Sequence, residues 1–337
     1  MYSFNTISAD LSLLETYSSI SNPSFITISK DGSRLYAASE TAEYQGQEGG
    51  SVASFTIHPE TGRLNLLNEQ PTQGAAPCYL TLDPSGNNLY VANYSSGSIS
   101  VFPVNEDGRL GELSQKLQHK GTGPDSSRQE APHAHSIMLD AQGRYVLSAD
   151  LGTDQIVVYE MEDNGANLVT HSEYSVKSGS GPRHMAFHPT LGRAYVINEL
   201  DSTIAILHYD STQGTLATIQ TISTLPDNYQ ETSYCADIHI SSDGRYLYGS
   251  NRGHDSIVVF AIDSEEGTLS LVEHNSTLGN WPRNFAISPE GDYLLAANQN
   301  SNSLKVFSID KSSGKLTDTG KSADNSQPVC IQFLYIK

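Results

Sequence analysis

The chain repeats itself, and no other property constrains its fold as strongly. One unit opens on a proline, runs as an alternating apolar strand, turns at a DG, SG or EG pair, and returns as a second strand ending in small and polar residues. PSFITISKDGSRLYAASE from Pro23, PCYLTLDPSGNNLYVANY from Pro77, PRHMAFHPTLGRAYVINEL from Pro182 and PRNFAISPEGDYLLAANQ from Pro282 show it plainly. The stretch around His135 and CADIHISSDGRYLYGSNR from Cys235 follow the same pattern with the proline position altered, which makes six copies. A third strand follows, as in SISVFPVN, DQIVVYEM, TIAILHYD, SIVVFAID and SLKVFSID, then a glycine turn and a fourth strand such as GTLATIQTIS or GTLSLVEHNS. Alternation with period 2, rich in Val, Ile, Tyr and Phe and bounded by Gly, Asp, Asn and Ser, is a strand signal. Nothing comparable has helical period, so the chain reads as all β. Four antiparallel strands recurring every 45 to 55 residues or so, roughly the spacing of propeller repeats, predict the blades of a β-propeller.

Six copies leave two remnants. PVCIQFLYIK at the C-terminus resembles a first strand, while MYSFNTIS and LSLLETYSS at the N-terminus resemble a third and a fourth. Joined, they predict a seventh blade of as few as three strands, shared by the two chain ends, that closes the ring. The expectation is one seven-bladed β-propeller domain over residues 1–337. Closure removes the sheet edges that would otherwise invite aggregation.

With 38 acidic against 19 basic residues, the formal charge of −19 argues against nucleic acid, whose phosphates need a basic footprint. It also disfavours an anionic membrane surface, and no apolar run approaches the length of a membrane span. An anionic ligand would be repelled by the global field and would need a few arginines gathered in one cleft. MYSFNTISADLSLLETYSS has no basic n-region and no long apolar core, so no secretory signal is read and a cytoplasmic location is expected. Cys78, Cys235 and Cys330 are odd in number and far apart, which fits reduced thiols and not a disulfide framework or a zinc site.

In a four-stranded blade the first strand lies innermost, and antiparallel order brings its start and the end of the second strand to one face. The residue after the proline position runs Ser24, Cys78, His135, Arg183, Ala236, Arg283 and Val329. Counting seven residues on from the turn glycine gives Ser39, Asn93, Asp150, Glu199, Asn251 and Asn298. Polar strand ends alone would account for small capping groups. They do not account for a histidine, two arginines, an aspartate and a glutamate at one mouth, with Arg252 one residue beyond Asn251. The longer connections GPDSSRQEAPHAH, LPDNYQETSYC and ETAEYQGQEGGSV are predicted to rise around the same face, where repeat proteins commonly build binding surfaces.

RQEAPHAHS, DLGTDQI, GPRHMAFHP with VINEL, and WPRNFAISP with AANQ resemble the seven-bladed lactonase family. Its members include propeller-type 6-phosphogluconolactonases and fungal carboxy-cis,cis-muconate cyclases. The resemblance covers essentially the whole chain and implies an activity that the repeat does not: opening or forming a sugar or muconate lactone. Carried over position by position, it implies catalytic roles for His135, Arg183 and Glu199, and for Arg252 in SNRGHD as the further arginine.

Lactone hydrolysis needs an activated water, an oxyanion stabiliser and a proton for the leaving ring oxygen. Glu199 is a candidate base if burial raises its pKa, and close pairing with Arg183 would act the other way. His135 suits acid or base work near neutral pH, and His133 is the weaker candidate for the same work. Arg252 and Arg283 can hold a phosphate or carboxylate through two oxygens. Asn93, Asp150, Asn298 and Gln299 complete the expected binding set, with backbone capping as their alternative role. Asp150 with Asp154, or His133 with His135, invites a metal reading, but no third ligand follows at a recognised spacing, so neither metal nor cofactor is expected. GxSxG, P-loop and dinucleotide motifs are absent from the sequence. A 6-phosphogluconolactonase is the leading reading, with a carboxymuconate cycloisomerase and a non-enzymatic interaction platform as alternatives. The substrate in the first two is a small anionic lactone or its open acid.

Overall fold

A computed structural model describes residues 1–335 of the protein. Among them there is no α-helix, only strands and two single 3-10 turns at Asp163–Gly165 and Gln299–Ser301. The six sequence repeats become six four-stranded sheets, each a meander in chain order. Blade I is Pro23–Ile28, Arg34–Ser39, Ser51–Ile57 and Leu64–Pro71. Blades II to VI span residues 77–118, 134–175, 182–223, 234–276 and 282–324. The prolines of blades I, II, IV and VI stand at the first residue of their first strands, where a missing N–H costs no ladder bond.

Burial explains why the strands differ in composition. The second and third strands are central in each sheet and are largely apolar, as in Asn88–Asn93 and Ser256–Ile262, which are buried almost end to end. The fourth strand is an edge, and Thr215–Ser223 alternates between half-buried and exposed positions accordingly. The apolar cores lie between successive blades. Tyr195, Ile197, Ile204 and Ile206 of blade IV pack on Ile238, Leu247, Val258 and Phe260 of blade V.

A polar staple recurs across these cores. The hydroxyls of Tyr36, Tyr90, Tyr195 and Tyr248 donate to the carbonyls of Gly108, Gly165, Gly267 and Gly314, each in the turn between third and fourth strands of the following blade. Gly165 shows why that position is glycine. Its φ is +88°, and a Cβ there would stand 2.6 Å from the Tyr90 hydroxyl oxygen.

The chain divides into two compact units. One comprises residues 1–15, 183–210 and 216–333 and holds blades IV, V and VI; the other comprises 16–182, 211–215 and the residues from 334, and holds blades I, II and III. In the first unit the N-terminal strands Tyr2–Phe4 and Leu11–Leu13 form an antiparallel ribbon. It is tied to blade VI by the Tyr2 hydroxyl donating to the Asp324 carbonyl (2.7 Å) and by a Lys321–Asp10 ion pair (2.7 Å). Phe4 meets Tyr293 and Phe333 edge-on at 5.4 and 5.8 Å, and Ile331 joins the same cluster. The N-terminal ribbon and the tail residues Ile331 and Phe333 therefore border blade VI. The tail residues 328–335 carry no strand, so the terminal sheet has two strands among the described residues where three were expected.

Candidate active site

The register of the blades shows how the site positions are made. In blades I, II, III and VI the residue after the strand-entry position is skipped by the pairing: Pro23 faces Ser39 and Phe25 faces Ala38, leaving Ser24 out, and Cys78, His135 and Arg283 are left out in the same way. Such a bulge turns a side chain away from the pleat. Arg183 holds the equivalent place in blade IV.

At the exit of the second strand the register corrects the sequence count. Ser39, Asn93, Asp150, Asn251 and Asn298 face the first residue of their third strands, and in blade IV that residue is Asn198, not Glu199. The connection of blade IV, HPTLG, is as long as the others, but its glycine stands one residue later, so counting from that glycine overshoots. Glu199 instead shares a position with Arg252, each one residue past the exit asparagine.

In the first unit these two positions meet. Arg183 Nε donates to Glu199 Oε2 at 3.0 Å, and Arg252 Nη2 reaches the same oxygen at 2.8 Å. Arg183, Glu199 and Arg252 are 2%, 4% and 4% exposed, so three charges are buried together. Arg183 Nη1 also donates to the Ala236 carbonyl (2.5 Å), and Arg252 Nη2 to the Cys235 carbonyl (2.7 Å). Arg252 Nε is buried without a hydrogen-bond partner. Burial first, then the charges of Arg252 and Arg283, push the Arg183 guanidinium down to about 9. Burial and Arg283 also lower Arg252, against the pull of Glu199. The nearby Arg283 is half-buried.

Trp281 lies against one member of this cluster, its ring 5.4 Å from the Arg252 guanidinium carbon. Its φ is +65°, rare for a bulky residue. Asp255 holds it there by accepting the Trp281 N–H at 2.8 Å. A cavity of about 330 Å³ elsewhere in this unit, lined by His239, Ser242, Ser288 and Phe333 among others, includes none of the arginine–carboxylate residues.

In the second unit His133 and His135 flank Tyr94. The His133 ring stacks on Tyr94 (4.6 Å), with Nδ1 3.0 Å from the Tyr94 carbonyl and Nε2 3.3 Å from Glu130. His135 meets Tyr94 edge-on at 5.3 Å, and its Nδ1 lies 3.8 Å from the buried Cys78 sulfur. The Arg128 guanidinium donates to the Tyr94 hydroxyl at 3.3 Å. Tyr94 occupies the repeat position of Glu199 and Arg252, a correspondence that aligning the copies on the exit asparagine would have revealed.

The remaining expected binding residues are engaged with backbone and neighbouring strands. Asp150 is wholly buried; it accepts from His119 Nδ1 (2.6 Å) and from the His133 and Thr153 N–H groups (2.8 and 3.1 Å). Asn93 donates to Ser98 and Ser100, and Asn298 donates to the Thr277 carbonyl, while the amide oxygens of both are buried without a partner. Gln299 opens the 3-10 turn, with its N–H bonded to the Trp281 carbonyl. Among the described residues no three of His, Cys, Asp and Glu gather as a metal-ligand set.

A family model described as lactonase, 7-bladed beta-propeller, matches residues 1–333. A 6-phosphogluconolactonase of Bacillus subtilis is 38% identical over 337 residues, covering 99% of this chain and 94% of that protein. A 6-phosphogluconolactonase of Formosa agariphila is 38% identical over 294 residues, covering 85% and 81%. Among solved structures, the periplasmic gluconolactonase of Pseudomonas aeruginosa superposes with a TM-score of 0.93 at 32% identity, covering 100% of this chain and 94% of that one.

Proposed function

The chain belongs to the lactonase family of seven-bladed β-propellers, and from that premise we propose that it hydrolyses 6-phosphogluconolactone to 6-phosphogluconate without a cofactor. The observation that carries this reading is the buried group of Arg183, Arg252 and Glu199 with Arg283 beside it, in a protein of net charge −19. Two guanidinium groups meet one carboxylate oxygen there, and the charge of Arg283 lowers the pKa of both; crowded positive charge of this kind favours an anionic ligand. A phosphorylated lactone is such a ligand.

In this reading Glu199 takes the proton of the attacking water. Opposite charges at contact distance favour the ionised carboxylate, so Glu199 acts as base or orienter and not as an acid. Arg183 and Arg252 stabilise the oxyanion that forms at the ring carbonyl as the water adds. The tetrahedral intermediate then collapses, the ring C–O bond breaks, and the ring oxygen must receive a proton. That donation is the role that the family correspondence of PHAHS implies for His135. Arg283, less buried, is assigned to the phosphate.

We further propose that the ring has seven blades and forms one domain, with the N-terminal ribbon and the C-terminal tail sharing the last blade. The contacts of Phe4 with Tyr293 and Phe333 support it. A cytoplasmic location is supported by Cys78, Cys235 and Cys330, none of which forms a disulfide; the name of the Pseudomonas relative shows that this fold also serves the periplasm.

The test is an assay of the purified protein on freshly prepared 6-phosphogluconolactone and on carboxymuconate, each corrected for the spontaneous reaction and repeated with EDTA. Hydrolysis of the first substrate that survives the chelator is expected. Activity on carboxymuconate alone would move the protein to the cycloisomerase branch, and turnover on neither would leave the interaction platform. Loss with EDTA and recovery with one divalent ion would make a metal part of the site.

A further inference from the structure

The residue after the bulge position forms a third column in the repeat: Phe25, Tyr79, Ser136, His184, Asp237 and Asn284. In blades I and II it is filled by aromatic rings, and Phe25 and Tyr79 stack at 4.1 Å. Apolar packing therefore satisfies this place in the fold. In blades IV, V and VI the same place holds a histidine, a carboxylate and an amide, all at least nine-tenths buried. They are joined in a row. His184 Nδ1 lies 2.8 Å from Asp237 Oδ1, and Asn284 Nδ2 donates to Asp237 Oδ2 at 2.5 Å. Burying a carboxylate where a stacked ring would serve is costly, so the row calls for a reason beyond packing.

The reason lies at its first member. His184 Nε2 stands 3.1 Å from Arg183 Nη1. A guanidinium can only donate, so Nε2 must accept and the ring proton must reside on Nδ1, where it is donated to Asp237. Burial, then the charge of Arg183, lowers His184 to about 4, which keeps the ring neutral as this arrangement requires. Asp237 is itself fixed by the Ile238 N–H (3.0 Å), by His239 Nε2 (2.9 Å) and by Asn284, whose Oδ1 accepts the Ile331 N–H at 2.7 Å. Its position leaves the His184 ring one tautomer and one orientation.

We propose that Asp237, acting through the Nδ1–H tautomer of His184, is a positioning residue that aims the Arg183 guanidinium at Glu199 and at the reacting carbonyl. Neither Asp237 nor His184 touches substrate. Their work is to hold one face of the guanidinium so that its Nε meets Glu199 without reorganisation during the reaction. This rests on the lactonase reading of the same site.

The experiment is a double-mutant cycle on the full chain, with kcat, KM and melting temperature read for each variant. Asp237→Asn keeps the volume but no longer dictates the tautomer, and kcat is expected to fall about 10- to 100-fold with KM changed less than threefold. His184→Ala is expected to fall as far, and His184→Gln, whose amide can accept from Arg183 and donate to Asp237, to recover most of the loss. In an Arg183→Ala background, Asp237→Asn is expected to cost no further activity, because the group it positions is gone. A merely structural role would cost the same in both backgrounds. Additive losses, or His184→Gln no better than His184→Ala, would overturn the proposal, and His184 carries the cycle alone if Asp237→Asn fails to fold. If Arg183→Ala itself retains full activity, the site assignment fails instead.

Discussion

Glu199 receives two guanidinium groups on one oxygen, and this decides what each substitution there should do. Glu199→Gln is nearly isosteric and removes a base, so kcat is expected to fall about 10²- to 10⁴-fold with the melting temperature little changed. Near wild-type turnover would make Glu199 a structural residue and leave His135 as the base. Arg183→Ala should lower kcat as well, while Arg252 stays to neutralise Glu199 and spare the fold. The sequence suggested that Arg252 mainly binds a remote anion and would act on KM; its 2.8 Å contact with Glu199 places its loss in kcat too. In the proposed reading the remote anion is assigned to Arg283. His184 makes a separate prediction about pH. Its folded pKa, about 4, lies below the ordinary 6.5, so its contribution to stability is complete above pH 6.5 and is lost as pH falls toward 4. The melting temperature should drop across that window and drop less in His184→Gln. A variant with the wild-type slope would show that His184 does not titrate on unfolding.

At the scale of the strand and its turn, the tyrosine staple is the feature most open to measurement. Tyr248→Phe keeps the buried ring and removes the hydroxyl that donates to the Gly314 carbonyl at 2.9 Å. A lost hydrogen bond with its acceptor left buried costs about 1 to 3 kcal/mol, and urea unfolding should show a loss in that range with an unchanged m-value. No loss would mean that water replaces the hydroxyl. The strands themselves were readable because their period-2 pattern and turn glycines are local properties. The one-residue error at Glu199 came from the same locality: the glycine of HPTLG in blade IV stands one residue later than that of SSDGR in blade V, and the pairing of Asn198 with Thr203 in the third strand shows the shift. The asparagine column was likewise visible as a pattern, but its use was not. Asn251 binds the Thr224 hydroxyl and carbonyl, and nothing local distinguishes such a tie from a sugar contact.

For the whole molecule, the proposed shared blade is where stability and function join. The tail reaches Asn284 through the Ile331 N–H and packs Phe333 on Phe4, so deleting residues 330–337 should remove an apolar contact and a support of the Asp237 row together. The expected result is a melting temperature lower by several degrees and a fall in kcat that exceeds the loss of folded protein. A truncated chain with wild-type stability would show that the two ends do not share a blade.

The repeat and the all-β class were set by the sequence alone, because each depends on residue type and spacing along the chain; the resemblance of its motifs pointed to the family and singled out Arg183, Glu199 and Arg252. Tertiary structure decided which groups meet. It put two arginines on one carboxylate oxygen, turned Asp150 to His119 and the backbone, drew Tyr94 between two histidines, and made a row of His184, Asp237 and Asn284 across three blades. Residues 47 and 53 positions apart become hydrogen-bonded partners there. A local pattern carries no record of such pairing, since the contact depends on how neighbouring blades lie against one another and not on either segment's own periodicity.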